Sequence, residues 1–257
     1  MAKVIALANQ KGGVGKTTST VNLAYALVRR GQRVLVIDFD PQSSLTIYCG
    51  LDPRGLESSQ QTVYWTLMKD KSIRETIIPG QPAVLASSIH LASAEPELVT
   101  LWDSATVLRD KLADIKEDFD IILIDCPPSL TLLTINALAA ADSVLIPVKT
   151  DYLSIMGIPL LLDTVEKLQK RTNTRLGVLG VLPTMFNSRN NHDNDCLAEL
   201  RQSLEPRMPV FEPVKRSTGF DRSAAEGKST LEISPDTPGV EVYRSLAETI
   251  IAYGAEK

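Results

Sequence analysis

Residues 10–18, Gln-Lys-Gly-Gly-Val-Gly-Lys-Thr-Thr, lie between a short apolar run at residues 4–8 and a stretch of helical spacing that begins at Thr17. No other feature constrains the fold as tightly. Glycines at 12, 13 and 15 let backbone N–H groups curl around an anion with no Cβ in the way. The helix that follows points the positive end of its dipole at the same spot. Lys16 is placed to reach the terminal phosphates of a nucleotide, and the Thr17 hydroxyl to coordinate Mg2+. The expected cradle is Lys11, Gly12, Gly13, Val14, Gly15, Lys16, Thr17 and Thr18. Gln10 stands where the usual phosphate-loop pattern has glycine, and a second lysine, Lys11, sits near the loop's start.

The rest of the chain repeats this strand-then-helix rhythm. Apolar runs at residues 4–8, 34–37, 83–86, 121–124, 144–148 and 176–182 read as strands. They are almost uniformly apolar, as expected of a sheet covered on both faces. Helical patterns occupy residues 17–30, 101–115, 130–140, 155–170, 195–204 and 240–253. Alternating strands and helices predict an α/β fold, a doubly wound, mostly parallel sheet flanked by helices, of the phosphate-loop nucleotidase type. Residues 50–61, 187–193 and 212–237 are expected to be irregular. No repeat, low-complexity tract or linker divides the chain, so residues 1–257 are expected to form one domain.

Two acidic motifs end apolar strands. Val36-Ile37-Asp38-Phe39-Asp40-Pro41-Gln42 closes the second strand, and a spacing of two puts Asp38 and Asp40 on one side of an extended chain. Ile121-Ile122-Leu123-Ile124-Asp125-Cys126-Pro127-Pro128 is an apolar strand ending in aspartate, and Asp125 is expected to hold Mg2+. Carboxylates at the C-terminal ends of parallel strands face the usual ligand crevice.

Taken together, these residues resemble the ParA/MinD superfamily of deviant Walker A ATPases, and within it the ParA family. Lys-Gly-Gly-Val-Gly-Lys-Thr-Thr matches the deviant box, Asp38 to Gln42 its DxDPQ switch and Asp125 to Pro128 its DxPP strand end. The likeness continues through residues 141–148, 183–189, 214–228 and 238–247. The resemblance implies ATP and Mg2+ as cofactors and a homodimer that sandwiches ATP. It makes Lys11 a lysine that reaches the partner's nucleotide in trans, as an arginine finger does. It makes Asp40 the group that positions the attacking water and Asp38 a support of the magnesium shell. Met185 and Pro213 fall on the base side of the nucleotide. Non-specific double-stranded DNA is the implied ligand of Lys215, Arg216, Arg222 and Lys228. A ParB-like or other adaptor would stimulate hydrolysis, and the setting would be cytoplasmic and nucleoid-associated. The chain departs from the family at Lys215, often proline there, at Arg222, often glutamate, and at Gly219, often basic.

Composition narrows the alternatives. The formal net charge of -4 argues mildly against a dedicated DNA-binding domain, so DNA binding would depend on local clusters and on pairing two protomers. Three scattered cysteines, Cys49, Cys126 and Cys196, suit neither a disulfide framework nor a zinc site. No run of 18 uncharged apolar residues occurs, and no membrane partner is expected. A MinD-like membrane cycler should end in a lysine-rich amphipathic helix, whereas only Gly254-Ala255-Glu256-Lys257 follows Tyr253. The box begins too early for a helix-turn-helix domain before it. An amidoligase of the superfamily and a flagellar or division-site regulator stay open as alternatives.

Overall fold

The computed structural model describes residues 1–255. Its strands are β1 (Lys3–Leu7), β2 (Val34–Asp38), β3 (Ile77–Ile78), β4 (Ala83–Leu85), β5 (Ile121–Asp125), β6 (Ser143–Lys149) and β7 (Gly177–Thr184). They form one sheet in the order β3-β4-β2-β5-β1-β6-β7, parallel except for the β3–β4 pair. Side chains alternate across a strand, so each apolar run feeds two cores. Val4, Ala6, Leu35, Ile37, Ile122 and Ile124 enter one layer, while Ile5, Leu7, Val34, Val36 and Leu123 enter the other.

Helices Lys16–Val28 and Val240–Ala255 contribute to the second layer, helices Leu132–Ala140 and Ile158–Arg171 to the first. The connection leaving β1 therefore crosses one face and the connection leaving β5 the other. These two strands are neighbours, paired from Lys3↔Ile121 to Leu7↔Asp125. Connections that part in opposite directions from adjacent strands leave a crevice at their C-terminal ends, where ligands bind in open α/β sheets.

Neither lateral edge is a long free ladder. On one side β3 has two residues. On the other, β7 is flanked by an isolated bridge from Val181 to Val210, with Val181 N–H donating to Pro209 O and Phe211 N–H to Val181 O.

Several stretches differ from the sequence expectation; helix Asn191–Leu204, for one, begins within the stretch 187–193 expected to be irregular. Residues 101–106 are turns, and the helix starts at Val107. Trp102 is 99% exposed, so this stretch has no core to pack against. Asn136 fixes the start, accepting from Leu108 N and donating to Ser104 O. Residues 50–61 contain helix Pro53–Ser58, capped by Asp52, which accepts from Arg54 N and Gly55 N. Residues 212–237 contain helices Thr218–Ala225 and Thr230–Ile233, capped by Ser217 and Ser229. In the last two stretches a capping side chain starts helices too short to show a period. Of the tail singled out in the sequence, residues 256 and 257 lie outside the described residues. No helix among the described residues is long and apolar enough to cross a membrane.

Asn22 joins the first helix to the C-terminal segment. It is fully buried, its Oδ1 accepts from Thr230 N and Leu231 N, and its Nδ2 donates to Thr18 O. Asn22→Ala should strand two buried N–H groups and lower the unfolding free energy by about 3 kcal/mol. Urea denaturation should give a lower midpoint with an unchanged m-value.

Candidate nucleotide and magnesium site

The loop after β1 is held open by its neighbours. Asn9 donates to Pro147 O on β6 and accepts from Lys11 N. Thr184 at the end of β7 donates to Val14 O. Gly13 and Gly15 have φ of 69° and 80°, values that side-chain-bearing residues adopt at a cost. Gly15 opens helix Lys16–Val28, whose N-terminus has no side-chain cap and no acidic residue in its first turn. Its leading N–H groups are therefore available to an anion.

Lys16 lies inside this cradle, 7% exposed, with Nζ donating to Asn9 O at 3.2 Å and Lys11 O at 3.1 Å. Burial pulls its ammonium below the ordinary lysine value, with Asp125 pulling the other way. Thr17 Oγ1 donates to Asp125 Oδ2 at 2.7 Å, while the buried Asp125 Oδ1 has no hydrogen-bond partner. Burial, reinforced by Asp38, pushes the Asp125 carboxyl well above the usual carboxylate range. A hydroxyl and an orphaned carboxylate oxygen, both hard donors, fit Mg2+, and a divalent cation would offset the cost of the buried negative charge.

Asp38 faces Asp125 in the β2–β5 register. Its Oδ1 accepts from Asp40 N, and its Oδ2 from Thr46 N at 2.8 Å and Thr46 Oγ1 at 2.7 Å. Burial pushes it up to about 7 against those bonds. Both oxygens accept hydrogen bonds within residues 38–46, so Asp38 anchors the switch segment. Asp40 is half-buried, accepts from Gln42 N, and receives the Ser87 hydroxyl on its carbonyl. It lines one cavity with Gly12, Lys16, Thr17 and Pro128.

A second cavity shares Gly13, Gly15, Thr18 and Met185 with the first and continues along Thr184, Val214, Lys215, Arg216, Phe220, Asp221 and Tyr243. Its continuity with the cradle suits the base and sugar of a nucleotide. Met185, held at φ 55°, lines both cavities. Pro213 lines neither; Val214 and Lys215 take its place, because Val214 N–H bonds Pro183 O and Lys215 bridges Phe186. Lys215 and Arg216 are exposed on the rim of this cavity and Arg222 is exposed on helix Thr218–Ala225. Lys228 stands apart, lining a different cavity with Val21, Cys49 and Gln81.

Comparison with known proteins agrees with this geometry. A family model described as an AAA domain matches residues 2–178. The chain is 40% identical to the sporulation initiation inhibitor protein Soj of Bacillus subtilis, covering 99% of this chain and all of the relative. It is 38% identical to the chromosome-partitioning ATPase Soj of Thermus thermophilus, over 96% of this chain and 95% of that one. A solved structure of a cobyrinic acid a,c-diamide synthase from Mycobacterium smegmatis, with ADP and magnesium, matches at 34% identity and a TM-score of 0.84, covering 98% of this chain and 94% of that one. The chain belongs to the ParA/MinD family of phosphate-loop ATPases. ATP and Mg2+ are the cofactors of this ATPase.

Sequence reading missed four groups around the ATPase site. Asn9 and Thr184 brace the loop, and Asp151 and Ser154 bind Lys11 Nζ at 3.1 Å each. Asp151 stands just past β6, and its place at the C-terminal end of a parallel strand was the available signal. Lys16→Ala should raise the Kd for Mg-ATP by at least about 100-fold, since it removes the buried charge nearest the cradle. Calorimetric titration with a non-hydrolysable analogue would check this, and unchanged affinity would overturn the assignment of Lys16.

Proposed function

We propose that residues 1–257 form one ATPase domain that sandwiches ATP in a homodimer. It then binds double-stranded DNA without sequence preference and hydrolyses ATP under stimulation by a ParB-like or other adaptor, so as to partition or position a cargo. The observation that carries this reading is the contrast between the two loop lysines. Lys16 is enclosed by the cradle, whereas the Lys11 side chain is 40% exposed and reaches outward to Asp151 and Ser154. A cation on the rim, unnecessary to its own cradle, suits delivery to a second copy's phosphates. The setting would be cytoplasmic and nucleoid-associated.

In this reading Lys16 and the loop N–H groups hold the phosphates. Mg2+, which Thr17 and Asp125 would hold, supplies positive charge to the phosphate oxygens. Asp40 orients a water toward the terminal phosphorus, and the products are ADP, inorganic phosphate and a proton. Asp38 keeps Asp40 in place through its bonds to Asp40 N and Thr46. Asp40→Ala should leave ATP binding intact, slow hydrolysis by about 100-fold, and accumulate the ATP dimer. Phosphate release together with sedimentation would check both parts, and rapid turnover by this variant would show that another group orients the water.

The exposed side chains of Lys215, Arg216 and Arg222 form no ion pair among the described residues, which leaves their charge for phosphate contacts. One protomer's patch is small, and two linked by ATP gain avidity without new contacts. ATP should therefore promote DNA binding while ADP does not, affinity should fall steeply with salt, and Arg216→Glu should weaken binding with dimerisation preserved. Gel shifts of two unrelated duplexes over a salt series would check this. An ATP dimer that ignored both and bound anionic liposomes would support the membrane-cycling alternative.

The likeness to a diamide synthase favours a second reading, ATP-dependent amidation of a carboxylate. A thiol that hydrolyses glutamine needs a low pKa. Burial pushes all three thiols up instead, Cys49 to about 12. ADP release that depends on glutamine or ammonia would favour this second reading.

A further inference from the structure

Helix Thr218–Ala225 runs beside both cavities of the nucleotide site. Ala224 lines the cavity that holds the phosphate cradle, and Phe220 and Asp221 line the one that continues from it. Asp221 and Ala224 are three positions apart, so they share a face of the helix, and Asp221 stands where the two cavities meet. Tyr48, which also lines the phosphate cavity, points to the same place. Its OH donates to Phe220 O at 3.3 Å, and the Asp221 charge adds to burial in raising its phenol. The start of the helix is fixed as well. Ser217 caps it through Gly219 N, and a Cβ at Gly219 would lie 2.6 Å from Thr237 Oγ1, an approach that glycine permits.

Among the described residues Asp221 supplies the one carboxylate in the lining of the second cavity, and it is exposed with no hydrogen bond or ion pair. The hydroxyls of Thr184, Ser217 and Tyr243 in the same lining are already engaged, with Val14 O, Gly219 N and Ser19 Oγ. An ionised carboxylate only accepts hydrogen bonds, and it does so through two oxygens. In a nucleotide the group between phosphates and base is the ribose, whose two hydroxyls are donors that need acceptors once water is displaced. We propose that Asp221 binds the ribose, accepting from its 2′ and 3′ hydroxyls and so selecting ribonucleotides over their deoxy forms. This rests on the assignment of the second cavity to the base and sugar. Carboxylates take the same part toward a ribose hydroxyl in dinucleotide-binding folds. Lys215 and Arg216 line this cavity too and offset the carboxylate's charge beside a polyphosphate.

The test is calorimetric titration of the full chain, in Mg2+, with ADP and with 2′,3′-dideoxy-ADP, which differ only in the two hydroxyls and are not turned over. Wild type should bind ADP about tenfold more tightly, the weight of charge-assisted hydrogen bonds at a partly solvated site. Asp221→Ala should weaken ADP by that factor and leave dideoxy-ADP unchanged, whereas a merely structural loss would weaken both. Asp221→Asn, which keeps one acceptor oxygen, should give an intermediate ratio. Inosine diphosphate, which lacks the exocyclic amine of adenine, tests the base, and its affinity relative to ADP should be the same in Asp221→Asn as in wild type. The proposal is overturned if wild type binds ADP and dideoxy-ADP equally, or if Asp221→Ala keeps the wild-type ratio between them. It is also overturned if only the ratio of ADP to inosine diphosphate changes, which would put the carboxylate on the base. Wild type that bound none of the three would remove the nucleotide site itself, and the ribose contact with it.

Discussion

Register between three parallel strands underlies everything at the site. β1, β5 and β2 lie side by side with Leu7 level with Asp125, and Asp125 level with Asp38. That alignment brings the phosphate loop, the Thr17–Asp125 bond and the Asp38–Thr46 anchor to one height on the sheet. Slipping β5 by a single residue would turn Asp125 to the opposite face and Ile124 into its place. The apolar packing of β5 on both faces resists such a slip. The chemistry at the strand ends is thus specified by burial far below it, in the layers around Ile122 and Leu123.

Above this frame the loop is braced from several sides. Asn9 ties it to β6, Thr184 ties it to β7, and Asn22 and Ser19 tie its helix to the C-terminal segment through Thr230, Leu231 and Tyr243. None of these braces touches the expected phosphates. They set the backbone in advance, so binding energy is not spent on ordering it. The same braces connect the cradle to Tyr243, which lines the cavity on the base side, so base and phosphate ends share one rigid support.

The sequence carried the sheet, its parallel sense and the phosphate-loop residues, because these follow from local rules: apolar runs, glycine freedom and a helix start at a fixed spacing. Lys16, Thr17 and Asp125 converge in the structure as the spacing implied. What escaped was non-local. The partner of Lys11 lies 140 positions away, and no pattern within either segment signals the pairing. Thr46, eight positions on, donates to Asp38, a contact that residue type alone does not signal. Pro213, put on the base side by the family resemblance, lines neither cavity, whereas its neighbours Val214 and Lys215 line the second one. Helices 53–58 and 218–225 were illegible for another reason: six and eight residues are too few to display a period, and only their capping side chains give them away.

The blunted margins of the sheet have a consequence for assembly. Main-chain addition, in which one sheet continues another, needs a strand with unpaired N–H and C=O groups along its length. Here one margin ends in the two-residue β3, and the opposite margin is already met by the backbone around Val210. Growth of a fibre by strand extension therefore has no template among the described residues. Any larger array would have to be built through side-chain surfaces, and contacts of that kind can be made and undone one protomer at a time.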